Sequence, residues 1–151
     1  MPTPAEHGTA HAWSWHHAGL VVDDLDRATQ FYREALGFEI EFLVRDMDDQ
    51  FQRTVGVPGV VCDLAQLIAP SSATRVELIE VRGVPEGLDP RLPVHVGVGH
   101  GAYQVRDLEA SIAGLVASGG AQLGEIVQFA EGRAVYCWSA AGTVVELEEA
   151  E

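Results

Sequence analysis

HAGLVVDDLDRA at His17–Ala28 and HGAYQVRDLEA at His100–Ala110 are two versions of one segment. In register, His17 meets His100, Leu20 meets Tyr103, Val22 meets Val105, Asp24 meets Asp107 and Leu25 meets Leu108. Each version is followed downstream by a Val-Glu-Leu strand, with Glu77 in RVELIEV and Glu146 in VVELEE. The histidines lie 83 residues apart and the glutamates 69, so the second copy is shorter by a loop. A His, Glu, His, Glu order inside a duplicated frame implies two similar modules meeting around one metal ion, since imidazole and carboxylate are ordinary ligands of first-row divalent ions.

Outward from these segments the pattern of elements repeats. Trp15–Val22 is rich in aromatic and β-branched residues and is predicted as a strand. Asp23 and Asp24 supply capping oxygens for a helix with Leu25, Ala28, Phe31, Tyr32, Ala35 and Leu36 at helical spacing, closed by Gly37. Phe38, Ile40, Phe42 and Val44 then alternate with polar residues as a half-buried strand. RDMDDQFQRT is predicted as a polar loop, the VGVPG that follows it as the place for a lid, and strands are expected over about 61–69 and 75–81. Three prolines in GVPEGLDPRLPV mark residues 83–94 as a linker. The second copy predicts a strand over 98–105, a helix after Asp107 ended by Gly119-Gly120, and strands near 122–129, 133–139 and 143–148. The expected fold is α+β, two βαβββ modules at 14–82 and 95–149 behind a mobile tail of residues 1–13.

Strand alternation sorts the side chains. Ala18, Leu20 and Val22 face the module's own helix, while His17, Gly19 and Val21 point away; Gly101, Tyr103 and Val105 likewise oppose His100, Ala102 and Gln104. Small residues beside each histidine leave room for His17, Glu77, His100 and Glu146 to converge. By the same alternation His16 is expected on the opposite face from His17. Glu80, Glu148, Glu149 and Glu151 are expected to be solvated, His95 to be structural or exposed, and His7 and His11 to lie in the tail. Arg133, Tyr136 and Trp138, on the strand beside that of Glu146, and Phe51 are candidates for a substrate pocket, with core or dimer packing the competing role for Trp138. Cys62 and Cys137 sit in apolar segments without metal spacing and are expected to be small core residues.

Composition bounds the function. Nine basic residues against 23 acidic ones, a net charge of −14, argue against binding nucleic acid or an anionic membrane, and against multiply phosphorylated ligands unless a local basic cluster compensates. The first dozen residues have neither a basic start nor an apolar stretch, so a cytoplasmic location is the expectation. No Walker loop, GxGxxG, GxSxG or HExxH motif is present.

On HAGLVVDDLDRATQFYREALGF, VELIEV, HGAYQVRDL and VYCWSAAGTVVELEE, about residues 15–149, the chain resembles the vicinal oxygen chelate superfamily of glyoxalases, epimerases, extradiol dioxygenases and bleomycin-resistance proteins. The resemblance implies an incomplete β-barrel around one divalent ion (Ni, Zn, Co, Mn or Fe), commonly in a homodimer, with His17, Glu77, His100 and Glu146 as ligands. This four-ligand pattern is most similar to glyoxalase I. Val21 and Val81 stand where that enzyme usually carries its glutathione-binding arginine and asparagine, which speaks against glutathione. The activity implied is that of a lyase, isomerase or epimerase that abstracts a proton beside a carbonyl polarised by the metal. Glu146 is the first candidate for the base and Glu77 the second. The alternatives are an extradiol dioxygenase using His17, His100 and Glu146, and a non-enzymatic antibiotic-binding protein, disfavoured by the ligands themselves.

Overall fold

The computed structural model describes residues 13–151, so the stretch with His7 and His11 lies outside it. The first module runs β1 (Ser14–Val22), α1 (Leu25–Leu36), β2 (Glu39–Met47), α2 (Asp49–Val55), β3 (Val61–Ala69) and β4 (Thr74–Arg82). The second runs β5 (Gly99–Gln104), α3 (Leu108–Ala117), β6 (Ala121–Gln122), β7 (Val127–Phe129), β8 (Gly132–Trp138) and β9 (Val144–Ala150). All nine strands form one sheet in the order β2-β3-β4-β1-β5-β9-β8-β6, with β7 also on β8. The sheet curls without closing, as an incomplete barrel. In each module the first strand pairs in parallel with the last, β1 with β4 and β5 with β9. The modules join where β1 and β5 run antiparallel.

Each helix covers the outer face of its own module. Leu20, Val22, Ala65, Leu67 and Leu78 pack under α1 against its Leu25, and Tyr103, Val105, Val135 and Leu147 pack under α3 against its Leu108 and Leu115. Both helices begin in the same way. Asp24 accepts a hydrogen bond from the Arg27 amide and Asp107 from the Ala110 amide, satisfying amide groups that the first turn leaves without partners. Glu80 accepts from the Leu25 amide at 2.7 Å and Glu149 from the Leu108 amide at 2.7 Å. Glu80 and Glu149 are therefore not simply solvated, the role expected of them from the sequence. They tie the last strand of each module to the start of its helix, where a carboxylate is also favoured by the helix dipole. Glu151 is exposed, as expected.

The segment expected as a polar loop is partly helical. Asp48 caps α2, and Phe51 and Val55, one turn apart, are buried among Val57, Val60, Cys62, Leu64 and Ile79. α2 and the linker residues Leu92 and Val94 fill part of the concave side of the sheet. The segment expected as one strand over 122–129 is split into β6 and β7. Gly124 lies against the Thr54 carbonyl at the end of α2, where any Cβ would collide. Cys62 and Cys137 are buried free thiols, and burial pushes the Cys137 thiol up to about 11.

Beside this core, Asp63 on β3 accepts from Arg82, Arg45 and the Asp46 amide at 3.1, 3.1 and 2.8 Å. The Arg82 hydrogen bond leads in lowering its pKa to about 2, against the opposing effect of burial. A carboxyl whose pKa is depressed on folding stabilises the protein above its unfolded value, and that contribution is lost as pH falls through the folded one. Asp63→Asn is expected to cost about 1–2 kcal/mol at pH 7 and to remove part of the fall in stability between about pH 4 and 2. Urea denaturation of both proteins at pH 7 and pH 3 measures both effects, and equal midpoint differences at the two pH values would contradict the ion-pair account.

Candidate metal centre

The four central strands β4, β1, β5 and β9 each contribute one residue to a buried cluster. Strand pairing sets Glu77 beside Gly19, and Gly19 beside His100. Two residues along the strands it sets His17 beside Ala102, and Ala102 beside Glu146. Each row thus holds one histidine, one glutamate and a small residue between them. The small residue is what lets the side chains meet: the His100 ring lies over Gly19, in the space a Cβ would take.

His17 is fully buried, and Glu77, His100 and Glu146 are each less than a tenth exposed. One nitrogen or oxygen from each lies within 4.8 Å of the other three. His17 Nε2 is 3.4 Å from Glu146 Oε2 and 3.8 Å from Glu77 Oε1, and His100 Nε2 is 3.1 Å from Glu146 Oε2. The donor set fits a divalent ion on two further grounds. His17 Nε2 is buried with no hydrogen-bond partner among the described residues although it points into the cluster, and such an orphan is costly unless a ligand takes it up. Two carboxylates buried together with two imidazoles also form a site whose charge a dication balances.

The electrostatics follow from this crowding. Burial alone would lower the His17 pKa, but the Glu146, Glu77 and Glu148 carboxylates outweigh it and raise it to about 9. Burial pushes Glu77 up. It acts on Glu146 in the same direction, but the His100 hydrogen bond and the nearby His17 imidazole prevail and hold that carboxyl well below its usual range.

Two residues that the sequence reading set aside belong to this centre. His16 is the extra residue of a β-bulge, since β1 advances from Trp15 to His17 while β5 moves only from Tyr103 to Ala102. The bulge breaks the alternation, so both histidines reach the concave side, with 2.8 Å between His16 Nδ1 and His17 Nδ1. Glu148, two residues beyond Glu146 and on the same face of β9, stands 3.3 Å from His16 Nδ1 and 3.7 Å from His17 Nδ1. It is a half-buried wall residue, and burial followed by the Glu146 charge lifts its carboxyl to about 8. Parity along β9 was enough to place Glu148, whereas nothing in the sequence marks the bulge.

A cavity of about 160 Å³ opens over the cluster, bordered among others by Phe51, Arg133 and Tyr136. The Tyr136 ring meets the His100 ring edge-on at 5.0 Å. Arg133 borders the cavity with its guanidinium turned to Glu109 and Glu149. Trp138 is not brought to this cavity; it packs against the inner core, with the Arg91 guanidinium 4.7 Å from its ring centroid. His95 hydrogen-bonds the Asp89 carbonyl within the linker, in a structural position.

The profile of the Glyoxalase/Bleomycin resistance protein/Dioxygenase superfamily matches residues 16–137. No curated protein matches the chain. Among solved structures, the chain is similar to methylmalonyl-CoA epimerase from Mycobacterium tuberculosis, at 27% identity and TM-score 0.62, over 91% of this chain and 87% of that one. A hypothetical protein from Bacillus halodurans C-125 is similar at 21% identity and TM-score 0.67, over 93% and 96% of the two chains. Methylmalonyl-CoA epimerase from Streptomyces coelicolor, solved with 2-nitronate-propionyl-CoA, is similar at 22% identity and TM-score 0.59, over 90% and 96%. The last two likenesses speak for the fold alone. The named enzymes here are epimerases, not glyoxalase I, so the likeness of the ligand pattern to glyoxalase I narrows to the superfamily.

Proposed function

The chain belongs to the glyoxalase/bleomycin resistance protein/dioxygenase superfamily, and on that premise we propose that it is a metal-dependent lyase or isomerase that moves a proton on a carbon next to a carbonyl. The observation that carries this reading is the convergence of His17, Glu77, His100 and Glu146 within 4.8 Å in a buried pocket. These four residues would hold a divalent ion, which when bound supplies Lewis acidity toward a carbonyl oxygen. The likeness to an epimerase supports the isomerase side of the proposal.

The protein's own groups divide the remaining work. Glu146 is anchored, 3.1 Å from His100 and 3.4 Å from His17. Glu77 stands 3.8 Å from His17 and makes no hydrogen bond among the described residues. Glu77 is therefore the carboxylate free to take a proton from the substrate carbon onto Oε1 and return it to the same or the neighbouring carbon. This reverses the order suggested by sequence, in which Glu146 came first. Tyr136 and Phe51 bound the cavity and exclude water from the reacting carbon. Glu148 and His16 face Nδ1 of His17 and orient its ring so that Nε2 points into the cluster. Outer partners of this kind typically contribute about 10–100-fold in metal affinity. Glu148→Gln is expected to weaken metal binding by about that factor, read by competition with a chelating dye; unchanged affinity would remove Glu148 from this role.

The reading as a whole is tested by metal content and by exchange. Purified protein should hold about one divalent ion per chain, and the metal-loaded protein should incorporate solvent deuterium into α-hydroxy or α-branched carbonyl compounds. Full metal loading with no exchange across such a panel would overturn the proposal.

A further inference from the structure

The cavity above the four-residue cluster has two unlike walls. Phe42, Val44, Phe51, Leu64 and Phe129 make one apolar and largely aromatic; Glu131 and Glu148 make the other acidic. Arg133 is the one arginine that borders it among the described residues, and the chain contains no lysine. That arginine is already engaged on every nitrogen. Nη1 donates to Glu109 at 2.7 Å, Nη2 to Glu109 at 2.9 Å and to Glu149 at 2.8 Å, and Nε to Glu149 at 3.1 Å. Such a fork-on-carboxylate arrangement uses the directions in which a guanidinium would grip a substrate carboxylate or phosphate. Glu149 is itself fixed by its bond to the Leu108 amide, so the pair does not open without loosening the start of α3. The cavity thus offers no free counter-ion to offset the desolvation of a second negative charge.

Resting on the reading of the site as a metal centre for chelating carbonyl compounds, we propose that its substrate carries no anionic group beyond the chelating oxygens. The substrate class is a small α-hydroxy- or α-keto-carbonyl compound whose short apolar or aromatic arm lies on the Phe42, Phe51 and Phe129 wall. Acyl-CoA thioesters and dicarboxylates are excluded. The volume agrees: about 160 Å³ lies below the roughly 300–1,000 Å³ of sites for drug-sized ligands.

The full chain loaded with Co(II) provides the test, because the visible spectrum of the ion reports a chelator entering its coordination sphere. Benzohydroxamate, its 4-carboxy derivative and methylmalonyl-CoA are titrated separately. Benzohydroxamate is expected to bind at least about tenfold more tightly than the carboxylated analogue, and methylmalonyl-CoA not to perturb the spectrum. Equal or tighter binding of the carboxylated probe or of methylmalonyl-CoA overturns the substrate class, as does a cobalt-loaded protein that no hydroxamate perturbs. Failure to take up cobalt at all is a different result, and it overturns the metal reading on which the inference rests.

Discussion

Gly19→Ala is expected to remove the metal site from a protein that still folds. Gly19 sits between Glu77 on β4 and His100 on β5, and the His100 imidazole lies where a Cβ on residue 19 would have to be. One methyl group therefore forces the ring off its position near Glu146, now 3.1 Å away. In the other row the residue between His17 and Glu146 is Ala102, so a methyl is tolerated there; the demand for glycine comes from how His100 lies across β1. The exposed backbone around the sheet is unaffected, and a displaced ring can turn toward the cavity, so the far-UV spectrum should match the parent. Metal affinity should fall by more than about 100-fold, beyond the loss typical of an outer partner. A ligand present at about 100 times its dissociation constant stabilises the native state by about 2.7 kcal/mol. The parent should show such a rise in thermal stability on adding metal and the variant none. Equal stabilisation of both would show that His100 does not need the space over Gly19.

How much of this was legible beforehand depends on what fixes each feature. The paired segments at His17 and His100 declared the duplication, and alternation along β1 and β5 put Leu20, Val22, Tyr103 and Val105 toward the helices, where they are found. β3 was readable to its bounds because its apolar run is buried on both sides. The features that were missed are local departures from periodicity or need a third dimension. α2 is only seven residues long, too short for a helical period to stand out from a polar segment. The break between β6 and β7 is imposed by the end of α2 crossing at Gly124. His16 joins the site through a bulge, which reverses the side that alternation predicts. Glu80, Glu148 and Glu149 were a different matter. Glu80 and Glu149 are separated by the same 69 residues as Glu77 and Glu146, so the duplication that singled out one pair also contained the other.

Glu146→Gln and Glu77→Gln are expected to part company, and the contrast separates holding a metal from moving a proton. Glu146 is in contact with both imidazoles, at 3.1 Å from His100 and 3.4 Å from His17. Neutralising it leaves two buried histidines facing an amide and removes the best-placed anionic donor. Metal affinity should drop by more than about 100-fold, and activity should disappear at ordinary metal concentrations for want of metal. Glu77 lies at the edge of the cluster, 3.8 Å from one histidine and without a hydrogen bond among the described residues. An amide there keeps an oxygen donor, so affinity should stay within about tenfold of the parent. What an amide lacks is the capacity to accept a proton from carbon, and loss of a positioned base typically costs about 10²–10⁴-fold in rate. The measurement is deuterium exchange into a responsive substrate, at metal concentrations that saturate each variant. Under saturation Glu146→Gln should recover at least part of its exchange, while Glu77→Gln should recover none. The opposite pattern, exchange retained in saturated Glu77→Gln and lost in saturated Glu146→Gln, would assign the base to Glu146 and leave Glu77 as a spectator at the rim of the site.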